Sequence, residues 1–116
     1  AMRRFYRLVV RSGWGGFDPA RAATLEVHWW RVHREHQHDT GVTEEQLVDA
    51  LTALYAYVYD LPPAAVQPAA ALRVQAMDAS DRWVTAGCTL ADPLLAQERR
   101  LLVASFSALR DAVDRR

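Results

Sequence analysis

The sequence predicts an all-helical protein, and more specifically a four-helix up-down bundle. Apolar residues recur at helical spacing in four long stretches, Asp-Pro pairs and a Thr-x-x-Gln sequence mark helix starts, and short connections favour antiparallel neighbours. Of the 116 residues, 51% are hydrophobic and 24% are charged, which is typical of a globular chain. We expect one domain over residues 1–116, with 1–17 as a basic N-terminal arm and Gly-rich loop and 18–116 as the helical bundle.

The N-terminal arm has two possible conformations. Residues 3–11 show helical spacing of their apolar side chains, yet their aromatic and β-branched content also permits a strand; we favour a short amphipathic helix. Residues 1–17 contain four Arg residues and no acid, whereas residues 39–60 contain five acids and no Lys or Arg. The opposite charges predict that the arm docks on an acidic surface of this chain or of a partner.

The first two helices are marked by their N-terminal residues. Asp18 is a favourable N-cap and Pro19 a favourable first helical residue, so the first helix is predicted from Pro19 to His38. Thr43 and Gln46 form a capping box, which opens a second helix that ends near Tyr59.

The third and fourth helices follow two breaks in the pattern. Residues 61–63, Leu-Pro-Pro, interrupt the chain; we expect a single turn at 64–66 and then a third helix from Pro68 to Ala86. Pro93, after an Asp N-cap, starts a fourth helix that ends near Asp114. The third helix is apolar over an unusually wide arc, which is typical of a central helix or a subunit interface. We therefore expect a homodimer.

The first helix contains all four histidines. At 100° per residue, His36 lies in the middle of the inward face with Trp29, and His33 lies on its flank. Glu35 and His38 have the spacing of half a di-iron carboxylate site, but this pair points away from the core and no second such pair exists. We therefore reject a di-iron site.

Two histidines on the inward side suggest a polar site. His33 and His36 are three residues apart, so they could share a metal ion. Glu98 is the best third ligand because it falls within the apolar arc of the fourth helix, and Asp81 is the next candidate. The ligand-binding candidates are charged, polar or aromatic groups on or beside apolar faces: His36, Asp81, Arg73 and Trp30. The alternative for every one of these side chains is ordinary packing or ion pairing in a core or interface.

No stretch of the chain carries a complete catalytic motif, so the sequence identifies neither catalytic residues nor a cofactor. Cys88 follows a helix-ending glycine in a loop, where a cysteine is usually inert. We expect a small non-catalytic accessory or interaction protein that self-associates, with a larger protein as a second candidate partner. The alternative is a helical bundle that binds a metal or small ligand at an internal His/carboxylate site, either as a binding protein or as an enzyme.

Composition limits the kinds of binding partner and the cellular location that we expect. The formal net charge is zero, which disfavours binding to nucleic acid, because a phosphate backbone demands a basic surface. We expect no signal peptide and no membrane contact, since no apolar run reaches the roughly 20 residues that span a bilayer. A single cysteine fits a reducing cytoplasm. Lys, Ile and Asn are absent, which favours a bacterial genome rich in G and C.

Overall fold

The computed structural model describes residues 16–38, 40–85 and 93–115, and all regular structure in these ranges is helical. The helices are α1 (Pro19–Gln37), α2 (Glu44–Tyr59), α3 (Pro63–Thr85) and α4 (Pro93–Asp114). The prediction of an all-helical fold is confirmed for this part of the chain. The predicted segment 3–11 and most of the basic arm lie outside the described residues, as does Cys88.

Local side-chain capping sets the starts of α1 and α2. The Asp18 carboxylate accepts a hydrogen bond from the backbone N–H of Ala20 at 3.0 Å. At α2, the hydroxyl of Thr43 accepts from Gln46 N–H at 3.2 Å and the Gln46 side chain accepts from Thr43 N–H at 2.8 Å. Both caps were predicted from the sequence. In each, a side chain accepts a hydrogen bond from a backbone N–H group that lacks a partner inside the helix.

The predicted start of α3 at Pro68 is wrong. The helix begins five residues earlier, at Pro63, and Pro68 lies inside it. Val66 in the first turn is fully buried. Burial of apolar side chains stabilises a helix that starts at Pro63, although Pro68 then lies inside it. The prediction took Pro68 as the first residue of the helix. A proline inside a helix costs stability, but packing of the neighbouring side chains can offset that cost.

Helices that are neighbours in the sequence pack on one another, and α3 and α4 share the most extensive contact. At one end, the N–H of Asp18 donates to the Tyr57 hydroxyl at 2.7 Å, so the start of α1 meets the end of α2. Ser105 is buried in α4 and donates to the carbonyl of Ala69 in α3 at 2.7 Å. The core between the helices consists mainly of aliphatic and aromatic side chains, including Trp29, Leu47, Leu51, Leu54, Tyr55, Val58, Val66, Val74 and Leu109.

The wide apolar arc of α3 is only partly buried. Ala69, Ala76 and Ala79 are almost inaccessible, whereas Val84 remains 55% exposed. Helix α3 contacts both α2 and α4, which accounts for the two apolar sides. None of the helices in the described ranges is long and apolar enough to cross a membrane.

Candidate functional site

Two cavities lie beside the C-terminal half of α1 and share His33, Met77 and Asp81. The larger one, called the His33 cleft, has a volume of about 160 Å³ and lies between α1, α3 and α4. Its walls are Ala76, Met77 and Leu102 on the apolar side, and its polar groups are His33, Arg73, Ser80, Asp81 and Glu98. The smaller one, called the inner cavity, has a volume of about 30 Å³ and reaches His36 and Glu44.

His33 is the side chain around which both cavities are arranged. Its ring stacks on Trp29 with centroids 5.7 Å apart and meets the Trp30 ring edge-on. The Nε2 atom is buried and has no hydrogen-bond partner within the described part of the chain. Burial lowers the pKa of His33 below its ordinary value; the Asp81 carboxylate opposes this shift and His36 adds to it. At neutral pH, His33 therefore presents an uncharged imidazole to the cavities.

His36 is oriented by the connection between α1 and α2. Its Nδ1 lies 2.7 Å from the backbone carbonyl of Val42. A carbonyl oxygen only accepts, so Nδ1 carries the proton and, in the neutral ring, Nε2 is left as an acceptor. Gly41, with a φ of 86°, makes the tight connection that places Val42 there.

Charged side chains of α3 and α4 complete the His33 cleft. The Arg73 guanidinium carbon lies 5.9 Å from the centroid of the Phe106 ring, a cation–π distance. Glu98 is partly buried, and neither Arg73 nor Glu98 forms an ion pair with a described residue. Asp81 is exposed and accepts long hydrogen bonds from Gln37, at 3.4 and 3.5 Å.

The predicted ligand-binding residues do not all line the same cavity. Arg73 and Asp81 line the His33 cleft, Asp81 and His36 line the inner cavity, and Trp30 lines neither. Trp30 is 49% exposed on the outer side of α1, close to Val27, which is 66% exposed.

The predicted metal ligands do not all face one cavity. His33 lines both, but His36 lines only the inner cavity and Glu98 only the His33 cleft. Over residues 16–38, 40–85 and 93–115, no three His, Cys, Asp or Glu side chains lie close enough together to hold a metal ion. Metal binding at these residues stays a prediction and has no geometric support here.

Several lining residues had no site role in the sequence-based prediction. Ser80, Met77, Leu102 and Asp78 were not among the predicted site residues; Asp78 forms an ion pair with Arg82 on the exposed side of α3. A signal for Ser80 and Met77 did exist: with Arg73 they are spaced four and three residues apart, which places them on one side of a helix. Leu102 had no such signal, because its role depends on how α4 packs on α3.

Acidification is expected to destabilise the protein through His33. The unfolded chain binds this proton near pH 6.5, whereas the folded chain binds it only at lower pH. The free energy of unfolding should therefore be unaffected by His33 above pH 6.5 and fall as the pH drops from 6.5 towards the folded-state pKa. Urea unfolding at stepped pH measures this slope. His33→Gln should reduce the slope; equal slopes in the wild type and His33→Gln would contradict the assignment.

The chain was compared with models of protein families, with curated proteins and with solved structures, and none of these comparisons gave a match.

Proposed function

We propose that this protein is a non-catalytic helical protein that binds a small polar molecule in the His33 cleft. The observation that carries the proposal is a cleft lined by His33, Arg73 and Glu98: the buried Nε2 of His33 has no partner among the described residues, and neither charged side chain forms an ion pair with one. Binding alone, without chemistry, is proposed because the hydrogen bonds observed among the described residues join no nucleophile of the cleft, such as Ser80, to a base.

The energetic argument concerns polar groups that lack partners. A buried donor or acceptor without a hydrogen bond costs about 1–3 kcal/mol, and native proteins keep few such groups. In a region that served only packing, an apolar side chain in place of His33 would avoid this cost. A site for a polar ligand accounts for the imidazole and for the unpaired charges beside it.

The size of the cleft limits the ligand. A volume of about 160 Å³ accommodates several waters or a molecule of roughly ten non-hydrogen atoms. Apolar contact would come from Met77 and Leu102, and orientation from the polar groups on α1, α3 and α4.

Ligand-observed NMR with a mixture of small acids, amines and neutral fragments tests the proposal. Ala76 is 1% exposed and lines the cleft, so Ala76→Leu would fill the cleft, while Ala96→Leu makes the same change at an exposed position of α4. We expect at least one fragment to bind the wild type and Ala96→Leu and to lose binding in Ala76→Leu. Circular dichroism checks that each variant is folded, and Glu98→Gln is the second variant if Ala76→Leu is not. Absence of binding by all three fragment classes, or binding that survives in a folded Ala76→Leu, would contradict the proposal.

A second candidate function is self-association or docking to a larger protein. It is favoured by Val27 and Trp30, two large apolar side chains exposed side by side on α1, since aromatic residues of this kind are enriched at interfaces. In this proposal the helices form an up-down bundle, which the Asp18–Tyr57 and Ser105–Ala69 contacts support, and the protein acts as a homodimer in the cytoplasm.

Light scattering after size exclusion tests self-association: a two-chain mass should fall to one chain in Trp30→Glu but not in Thr24→Glu. A single-chain mass in the wild type would contradict self-association.

A further inference from the structure

We propose that residues 3–11 form a short helix that packs into an open seam between α1 and α4, as a fifth helix of the domain. The seam is the gap between the first half of α1 and the last half of α4, with Phe106 and Val113 on its α4 side. The inference goes beyond ligand binding in the His33 cleft and does not depend on it. It rests on an exposed apolar stripe, on the place where the chain enters the described structure and on the length of the segment.

The bundle is open on one side. Helix α1 packs on α2, α2 on α3 and α3 on α4, but α1 and α4 share no extensive contact within the described ranges. In a closed up-down bundle the first and last helices are also neighbours. The His33 cleft occupies one part of the gap, since His33 of α1 and Leu102 of α4 both line it. The seam is the remaining part, towards the start of α1.

The start of α1 and the end of α4 lie at the same end of the molecule. Helix α4 is antiparallel to α3, because Ala69 bonds Ser105 while the later Ser80 shares a cleft with the earlier Glu98. The start of α1 meets the end of α2, from which α3 begins after a three-residue connection, so α1 runs in the same direction as α3. The chain that precedes α1 therefore enters beside the last turns of α4.

Helix α4 has a second apolar side, and this side faces the seam. Phe106 and Val113 follow Leu102 by four and eleven residues, spacings that keep side chains on one side of a helix. Arg73, which lines the His33 cleft, also contacts the Phe106 ring. Phe106 is exposed, and Leu102 and Val113 are partly exposed, whereas Ser105 is buried against α3. An exposed apolar stripe of this kind is typical of a surface that has a partner.

Residues 3–11 match this stripe in chemistry and position. In a helix their apolar side chains share one side, and the arginines share the other: Phe5, Leu8 and Val9 against Arg4, Arg7 and Arg11. The segment lies directly before the described ranges, which begin at Gly16. Residues 12–16 contain three glycines, whose backbone freedom permits the chain to reverse its direction. The apolar side would then pack on the seam while the arginines face water.

The length of the segment fits the seam and leaves the His33 cleft accessible. A helix of nine residues is about 13 Å long. Antiparallel to α1, it would extend beside α1 from Ala20 to about His28 and beside α4 from Asp114 back to Phe106. It would cover the seam and end before Leu102. The other possible occupant of the seam is a second copy of the chain, which the experiment distinguishes.

Hydrogen–deuterium exchange of the full chain, followed by mass spectrometry at a low and a high protein concentration, tests the proposal. We expect the amides of residues 3–11 to exchange at least about tenfold more slowly than in an unstructured peptide of the same sequence, to the same extent at both concentrations. Phe106→Glu places a charge in the seam and should remove most of this protection. Ala104→Glu is the control, because Ala104 is exposed and two residues away, on the opposite side of α4; protection should persist.

A second pair of variants lies in the segment itself and changes no described residue. Leu8→Ser removes an apolar side chain and should abolish the protection, whereas Arg7→Ser, on the other side of the segment, should retain it. Circular dichroism checks that Phe106→Glu is folded, and Leu8→Ser decides if it is not. Unprotected amides at residues 3–11 in the wild type, protection that survives in a folded Phe106→Glu or in Leu8→Ser, or equal loss in the two controls would overturn the proposal. Protection that rises with protein concentration would also overturn it, since a second copy would then fill the seam.

Discussion

Leu54→Ala is expected to destabilise the protein by about 2–5 kcal/mol. Leu54 is fully buried in α2 and is among the largest completely inaccessible side chains of the described core. Helix α2 packs against both α1 and α3, so the substitution removes apolar contacts and leaves a cavity that the surrounding helices can only partly close. A domain of this kind is stabilised by only about 5–15 kcal/mol, so the loss is a large share of the total. Urea unfolding followed by circular dichroism measures it.

Val103→Ala is the control for this change. Val103 also lies in a helix, but it is 65% exposed, so its truncation should alter the free energy of unfolding by no more than about 0.5 kcal/mol. Similar effects at the two positions would show that Leu54 is not in a tightly packed core.

Pro68→Ala is expected to stabilise the protein by about 1–3 kcal/mol. Pro68 is exposed and lies inside α3, where it cannot donate to the carbonyl of Ala64 and its ring crowds the preceding turn. Proline is about 3 kcal/mol less favourable than alanine inside a helix. The greater freedom of the unfolded chain with alanine offsets about 0.4–1 kcal/mol of that gain. The midpoint of urea unfolding should rise.

Pro63→Ala separates the helix effect from the general effect of removing a proline. Pro63 is the first residue of α3, where no intrahelical acceptor is available for its missing N–H. Its replacement should leave stability unchanged or lower it slightly. Equal stabilisation by both substitutions would contradict this account, because the greater freedom of the unfolded chain opposes both and only Pro68 lies inside α3.

The proposals differ in what they need from the rest of the molecule. Ligand binding in the His33 cleft depends on the packing of α1, α3 and α4, whereas association through Val27 and Trp30 needs only the outer side of α1. A variant such as Trp30→Glu should therefore change the oligomeric state while the cleft keeps its ligand. The two functions are compatible and can be measured separately.

The sequence by itself determined the features that depend on neighbouring residues. The caps at Asp18 and Thr43 and the start of α4 at Pro93 are local, because each is set by residues within one helical turn. The phase of α1 also followed from the sequence: Trp29 is buried, His33 and His36 are partly buried, and His38 is exposed, since a period of 3.6 residues fixes which side chains share a face.

The tertiary structure alone decided the features that join distant segments. Helix α3 begins at Pro63, ahead of the stronger proline signal at Pro68, because Val66 is buried among other helices. Periodicity indicated that Arg73, Asp81 and Glu98 lie on or beside apolar faces, but not that they line one cleft with His33 while His36 faces another cavity. The physical reason is that the rotation and axial position of each helix are set by the interlocking of its side chains with those of its neighbours, and this interlocking is not encoded in any single stretch of the chain.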